Sequence, residues 1–285
     1  MNNKEKDLEK IAFGIAGMFG IYWMYSCFLK QHLPLSDGQK TILGLILLYA
    51  VGSGILISVT KNIADQKFEK RKISFKTLLL CFLLQFTAIM VFIVFVNISA
   101  AFGLNHTSTG IDATSLHMIF MLLIFNPVAE ELVFRKLFAD KLLKYGEGFY
   151  MLVSSFCFCL VHGVSLGVPQ IIYTFLLGMI WSYLMVKTGD IKLVILMHAL
   201  SNLFGSVMTQ ALLGISMTAA GVYSMCLMLL GVTGLIIFLA NRKKVRIDDA
   251  PGVIKKTAVK DLLRSRGILF YIALTLIFML CSRNL

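Results

Sequence analysis

Nine apolar segments dominate the sequence, and most of them are long enough to cross a lipid bilayer. A transmembrane helix needs about 20 consecutive apolar residues, and a soluble fold has no interior for so many runs of that length. We therefore predict helices over residues 11–29, 41–60, 76–103, 115–145, 147–164, 169–187, 191–213, 217–240 and 267–281. The last run is short for a span. The predicted fold is all-α, a polytopic transmembrane bundle of about eight or nine helices forming one integral membrane domain over residues 1–285.

The composition agrees with a membrane protein and excludes several other classes. Hydrophobic residues make up 58% of the chain and charged residues only 15%, against about 25% charged in ordinary soluble domains. The net charge of +12 is interpreted as a topology signal, and no aromatic-interleaved basic repeat accompanies it, so no nucleic-acid partner is expected. The six cysteines contain no Cys-x-x-Cys pair, which argues against a disulfide framework and a structural zinc site.

The distribution of Lys and Arg predicts the orientation in the membrane. Residues 61–76 hold six Lys/Arg against two acids, and residues 241–266 hold nine against three, whereas residues 104–115 hold one charge, Asp112. By the positive-inside rule the first two segments are cytoplasmic and the third faces outward. We therefore predict a multi-pass protein of the cell membrane with a cytoplasmic N-terminus. Residues 241–266 are interpreted as a basic cytoplasmic linker, a topology signal that could also lie on anionic lipid.

Three clusters of polar residues lie inside the apolar runs. A polar group in hydrocarbon loses its water and needs a partner, so such residues indicate a functional site by default. The clusters occupy three different predicted helices and contain Glu130, Glu131, Arg135, His162, His198 and Asn202.

The first cluster combines a predicted ion pair with an unpaired acid. Glu131 precedes Arg135 by four residues, the favourable order for a helical ion pair. Glu130 points about 100° away around the helix and has no local partner, which makes it the catalytic candidate. Pro127 removes a helical hydrogen bond and is expected to kink the helix, which would admit water to Glu130. The alternative is the charged end of a long helix, which explains Arg135 better than it explains two deeper glutamates.

The second and third clusters supply histidines and an amide. His162 follows Phe158 by one turn, and a single His at a helix end is more often a satisfied interfacial residue. His198 and Asn202 are four residues apart and share a helix face, where two donors could hold an oxyanion. Hydrogen bonding between helices is the alternative for this pair. At 1.5 Å per residue, Glu130 and His162 both lie about 22 Å from the turn between their helices.

Together the clusters resemble the CPBP family, also called Abi. Its motifs Glu-Glu-x-x-x-Arg, Phe-x-x-x-His and His-x-x-x-Asn occur here in the family's order, on apolar helices between residues 115 and 204. Gly178 and the Lys-Thr-Gly-Asp turn at residues 187–190 are also similar. The family comprises intramembrane proteases, including the type II CAAX prenyl endopeptidases and proteins linked to bacteriocin processing and self-immunity. The resemblance implies a CPBP-like catalytic core over residues 115–204.

The resemblance also implies an activity and residue roles. The chain would be an intramembrane endopeptidase acting on a membrane-associated peptide or protein at the lipid bilayer. A prenylated C-terminus, a leader peptide and a membrane-protein segment all fit such a site. Glu130 with His162 would activate a water, while His198 with Asn202 would stabilise the tetrahedral oxyanion. Three further residues would support the site: Glu131, Arg135 and Phe158.

A metal and two other functions remain as alternatives. No cofactor is expected to be required, because no His-Glu-x-x-His helix is present, although the family has been described both as metalloproteases and as glutamic proteases. If zinc binds, Glu130, His162 and His198 would supply three ligands and leave a fourth position open. A non-catalytic bacteriocin self-immunity protein is one alternative function. A proton-coupled transporter is the other, since such residues build proton relays, but no inverted repeat supports it.

Overall fold

The computed structural model describes residues 2–67, 69–102, 112–248, 250–251 and 255–283. Its helices are α1 Asn3–His32, α2 Asp37–Thr60, α3 Phe75–Ala101, α4 Leu116–Tyr145, α5 Glu147–Leu166, α6 Val168–Thr188, α7 Ile191–Ile215, α8 Met217–Lys244, α9 Lys256–Arg264 and α10 Arg266–Arg283. The strands β1 Arg246–Ile247 and β2 Ala250–Pro251 form a short antiparallel pair. The fold is an all-α helical bundle.

Eight of the described helices, α1 to α8, are long and apolar enough to cross a membrane, and a ninth span results if α9 and α10 count as one. The prediction of an eight- or nine-helix polytopic bundle is therefore confirmed. The starts of α1 and α2 were predicted several residues too late. Both helices begin in polar sequence with a capping box, at Asn2 with Glu5 and at Ser36 with Gln39, which a hydropathy pattern does not detect.

The short C-terminal helix α10 packs one face against the bundle and leaves the other exposed. Ile268 and Tyr271 are completely buried, and the Tyr271 hydroxyl donates to the carbonyl oxygen of Cys157 on α5 at 3.2 Å. The Tyr271 ring also stacks on Trp23 of α1. A bend of 67° separates α10 from α9. The predicted run at 267–281 is thus a core element that joins the two ends of the sequence.

The segments predicted to be cytoplasmic meet at one end of the bundle, which we call the basic end. Ion pairs join the N-terminus and the segments 61–76, 141–147, 187–192 and 241–266: Lys144–Asp7 at 3.0 Å, Lys141–Asp65 at 2.7 Å, Lys70–Asp190 at 3.2 Å, Lys187–Glu147 at 2.7 Å and Lys4–Asp261 at 2.5 Å. Their common location is what the alternating topology requires. It remains a prediction that this end faces the cytoplasm of the cell. In the predicted outward loop, residues 104–111 lie outside the described residues.

The described residues of the basic segment 241–266 contact the bundle. Asp248 accepts a hydrogen bond from the Glu147 N–H at 2.6 Å, and Glu147 accepts one from the Asp248 N–H at 2.9 Å. This reciprocal arrangement is a capping box formed by two distant segments. Asp248 adopts a φ of 52°, a left-handed conformation that Asp tolerates better than most residues. The segment therefore caps α5 and is more than a linker.

Helix α5 lies at the centre of the bundle. In its most apolar window 78% of residues are buried, compared with 17% for the equivalent window of α4 and of α8. It packs against α4, α6 and α10, so a polar side chain on α5 faces other helices. His162, near the end of α5, is held in this setting.

Candidate active site

Two π-helical turns bracket the adjacent glutamates on α4. Met121–Phe125 and Leu132–Leu137 adopt the wider helix on either side of Asn126–Glu131, and such turns are frequent at functional sites. The first turn ends two residues before Pro127, where the sequence predicts a kink. In a π-helical turn each N–H bonds to the carbonyl five residues earlier, as the Asn126 N–H does with the Met121 carbonyl oxygen. By the same spacing the Leu122 carbonyl would accept from the N–H of residue 127. Proline has no N–H, and the Leu122 carbonyl is left available.

Asn202 on α7 occupies that carbonyl. Its Nδ2 donates to the Leu122 carbonyl oxygen at 2.8 Å, which ties α7 to the proline turn of α4. Among the described residues its amide makes no hydrogen bond to Glu130, His162 or His198. The structure therefore gives Asn202 an interhelical hydrogen bond of the kind that the sequence offered as an alternative, with a partner that the sequence did not identify. One of its two amide hydrogens is left for other partners.

Glu131 lies between Arg135 and His198. Its Oε2 is 3.1 Å from Arg135 Nε, and both side chains are completely buried. The atoms are close but not aligned as a hydrogen bond, so the contact is mainly ionic. Its Oε1 is 2.8 Å from His198 Nδ1. A carboxylate only accepts, so His198 Nδ1 carries the hydrogen and its Nε2 is directed to the other side of the ring.

Glu130 faces both histidines. Its Oε2 lies 3.9 Å from His162 Nε2 and 3.9 Å from His198 Nε2. These separations are too long for direct hydrogen bonds and suit groups that share one water at about 2.8 Å from each. Glu130 Oε2 is itself buried and accepts no hydrogen bond within the described part of the chain. The structure thus brings Glu130, His162 and His198 together around one buried carboxylate oxygen.

The orientation of His162 is fixed by its own helix. Its Nδ1 lies 3.1 Å from the Phe158 carbonyl oxygen, and because a carbonyl only accepts, Nδ1 carries the hydrogen. When the ring is neutral, Nε2 then presents a lone pair towards Glu130. The side chains of Glu130 and His162 are 17% and 20% exposed, so the site is enclosed but accessible.

Aromatic rings form one wall of the site. The Arg135 guanidinium lies over the rings of Phe158 and Trp181, at 4.2 and 5.2 Å from their centres. The His198 ring stacks on Trp181 with centroids 4.2 Å apart and planes at 21°. Trp181 Nε1 donates to Gln85 Oε1 on α3 at 3.0 Å. Trp181 and Gln85 are site residues that the sequence reasoning missed, although a buried amide on an otherwise apolar helix was a usable signal for Gln85.

Comparison with known proteins identifies the segment that carries this geometry. Residues 112–204 match the family described as type II CAAX prenyl endopeptidase Rce1-like. This segment is therefore similar to that family, and we call it the Rce1-like segment. The match confirms the CPBP resemblance, spans about a third of the 285 residues, and includes all seven residues assigned to the site from sequence. No curated protein and no solved structure matches the chain.

The donor atoms of the Rce1-like site do not fit a zinc ion as they stand. Ligands about 2.0–2.1 Å from a tetrahedral zinc lie roughly 3.3 Å from one another, whereas Glu130 Oε2 is 3.9 Å from each histidine Nε2. Among the described residues no group of three or more His, Cys, Asp or Glu is arranged to hold a metal ion. Metal independence stays a prediction, which the effect of a chelator on cleavage would test.

Proposed function

We propose that this multi-pass membrane protein is an intramembrane endopeptidase that hydrolyses a peptide bond of a membrane-associated substrate. The Rce1-like match supports a protease-type enzyme. The observation that carries the proposal is the buried Glu130 Oε2, which faces His162 Nε2 and His198 Nε2 at 3.9 Å each. A buried carboxylate oxygen without a protein partner needs a water to donate to it. His162 is a second base beside the same position.

In the proposed mechanism Glu130 is the general base. A water bound between Glu130 and His162 would donate one hydrogen to the carboxylate while His162 Nε2 orients it, and its oxygen would attack the substrate carbonyl carbon. The proton held on Glu130 would then pass to the leaving amine. General acid–base catalysis of this kind contributes about 10²- to 10⁴-fold in rate.

His198 is proposed to stabilise the oxyanion. Since its Nδ1–H is used by Glu131, the ring donates from Nε2 only when it is doubly protonated. The Glu131 carboxylate and the stacked Trp181 ring hold the imidazole in the orientation that directs Nε2 towards Glu130.

Asn202 is proposed to act with His198, but mainly as an anchor. One amide hydrogen is bonded to the Leu122 carbonyl, and the other would be its contribution to the oxyanion. By tying α7 to the turn that precedes Glu130, Asn202 also fixes the distance between the base and the oxyanion donor. Replacing Asn202 would therefore remove its contact with the oxyanion and change the distance between Glu130 and His198.

A prenylated C-terminal peptide is the first substrate to test, because the matched family is one of prenyl endopeptidases. The purified protein would be reconstituted in vesicles with a farnesylated CAAX-type peptide, its unprenylated form and a leader-bearing peptide. We expect cleavage of the farnesylated peptide, faster than its unprenylated form and unchanged by a zinc chelator. Chelator-sensitive cleavage would replace the metal-independent mechanism. Failure to cleave any of the three, in protein that is folded, would contradict the proposal.

The immunity and transporter alternatives are not favoured by the match to a protease family. A phenotype or a solute flux that survives alanine at both Glu130 and His162 would restore them.

We expect Gln85→Leu to lower kcat about tenfold with little change in KM. The substitution removes the acceptor of the Trp181 N–H, an unpaired donor that costs about 1–3 kcal/mol in a buried site, and allows the indole to turn away from His198. The matched control is Asn97→Leu on the same helix, whose amide bonds to the Ile93 carbonyl at 2.8 Å. An equal loss of kcat in both variants, or a loss in Gln85→Leu that appears in KM instead of kcat, would contradict a positioning role.

A further inference from the structure

A second cleft, separate from the Rce1-like site, opens between α3, α6 and α8 near the basic end. It has a volume of about 350 Å³, and its lining is almost entirely apolar, with Cys81, Leu84, Ile180 and Phe238 among the residues that form it. Part-way along the cleft, α8 packs tightly against α3. There Gly231 and Gly234 bring α8 against the carbonyls of Phe86 and Leu83, where an added Cβ would lie 2.7 Å from each oxygen.

The dimensions of the cleft match one lipid chain. Its lining on α3 extends from Thr77 to Ala88, which is about 16 Å at 1.5 Å per residue. The hydrocarbon core of a bilayer is about 30 Å thick, so one leaflet contributes about 15 Å. The cleft therefore runs from the membrane surface to about the midplane, the distance that one acyl chain covers.

The entrance of the cleft is basic. Lys76 precedes the lining residue Thr77, and the run Arg242–Lys244 precedes the lining residue Val245. All four side chains are exposed, and within the described part of the chain Arg242 and Lys243 make no ion pair. Of the described acids near the entrance, Glu147 is paired with Lys187 at 2.7 Å and Asp248 lies 4.0 Å from Lys255. The net field at the entrance favours an anion.

We propose that this cleft is a binding site for an anionic phospholipid of the leaflet at the basic end. One acyl chain lies between α3, α6 and α8, and the headgroup phosphate lies against Arg242, Lys243, Lys244 and Lys76. Basic pockets between transmembrane helices are the usual place where acidic headgroups bind. The site is independent of the proposed protease activity, since none of its residues belongs to the cluster around Glu130.

The test compares two lipids that differ only in the headgroup. Full-length protein in detergent would receive equal amounts of dioleoyl phosphatidylglycerol and dioleoyl phosphatidylcholine, and retained lipid would be counted by native mass spectrometry. We expect one phosphatidylglycerol to be retained preferentially. The triple variant R242Q/K243Q/K244Q should weaken its retention on the order of a hundredfold, since each basic residue near the surface contributes roughly fivefold.

A matched triple variant controls for total charge. Lys256, Lys260 and Arg264 are exposed basic residues of α9 at the same end of the bundle, and their replacement by Gln should leave retention within about twofold, because none of them lines the cleft or adjoins a lining residue. Equal losses in the two triple variants would overturn the proposal in favour of general attraction to the surface.

Two further measurements place the lipid chain. Thr77→Trp, which narrows the cleft at its entrance, should reduce retention without changing the headgroup residues. In the wild-type protein, phosphatidylglycerol with a photoreactive acyl chain should crosslink to α3, α6 or α8. Crosslinks spread over other helices, or undiminished retention in Thr77→Trp, would overturn a site in this cleft, and the wild-type measurement does not depend on any variant folding.

Discussion

Glu130→Gln is expected to lower kcat for peptide hydrolysis by about 10²- to 10⁴-fold, the usual contribution of a general base. The amide has nearly the same shape as the carboxylate but cannot accept a proton from water. Because Glu130 Oε2 accepts no hydrogen bond from the described residues, the substitution breaks no hydrogen bond of that oxygen in this part of the chain. The unfolding temperature in detergent should therefore stay close to that of the wild-type protein while the turnover number falls.

The control for this variant is Glu69→Gln, which makes the same chemical change at an exposed position of the basic end. Its turnover should match the wild type within about twofold, as expected of a solvated surface position. Glu130→Gln protein that is folded and keeps more than a tenth of wild-type turnover would remove Glu130 from the role of base. His162→Ala provides an independent second test of the same water-binding pair.

Arg135→Met is expected to have the largest effect on stability, lowering the free energy of unfolding by about 3–5 kcal/mol. It leaves the Glu131 carboxylate buried with one cationic neighbour removed, and breaking a buried ion pair from one side costs that much. The double variant Glu131→Gln with Arg135→Met should recover most of the loss, since replacing both members removes the uncompensated charge. Chemical denaturation in micelles would measure all three proteins.

Lys136→Met, one residue further along α4, is the matched control. Lys136 pairs with Asp140 at 2.6 Å, but its side chain is 44% exposed, and exposed pairs contribute about 0–1 kcal/mol. Similar losses of unfolding free energy in Arg135→Met and Lys136→Met would show that the buried ion pair contributes no more to stability than the exposed one. A double variant no more stable than Arg135→Met alone would mean that the loss comes from the guanidinium contact with Phe158.

The sequence predicted the features that depend on local pattern. Membrane helices are continuous apolar runs, so their number and most of their ends were readable, and the four-residue spacing of Glu131 and Arg135 predicted a contact within one helix. The capping boxes at Asn2 and Ser36 were missed because they lie in polar sequence outside the apolar runs. The Rce1-like segment was found from three short motifs, since each motif keeps a fixed spacing along one helix.

Contacts between helices were not predictable in the same way. Glu131 was expected to pair with Arg135 alone, but a carboxylate has two oxygens, and the second one holds His198. The partner of Asn202 depends on the register of a π-helical turn next to a proline, which residue spacing does not encode. Gln85 and Trp181 are 96 residues apart, and nothing local relates them. The site was therefore predicted as a set of residues, and its internal hydrogen bonding was not.

The most direct measurement is a structure of the protein with a bound phosphinate peptide, whose two phosphoryl oxygens imitate the attacking water and the oxyanion. We expect one of these oxygens to lie between Glu130 and His162, and the other to lie within hydrogen-bonding distance of His198 Nε2. A phosphinate that inhibits cleavage but binds with neither oxygen in contact with Glu130 would contradict that expectation.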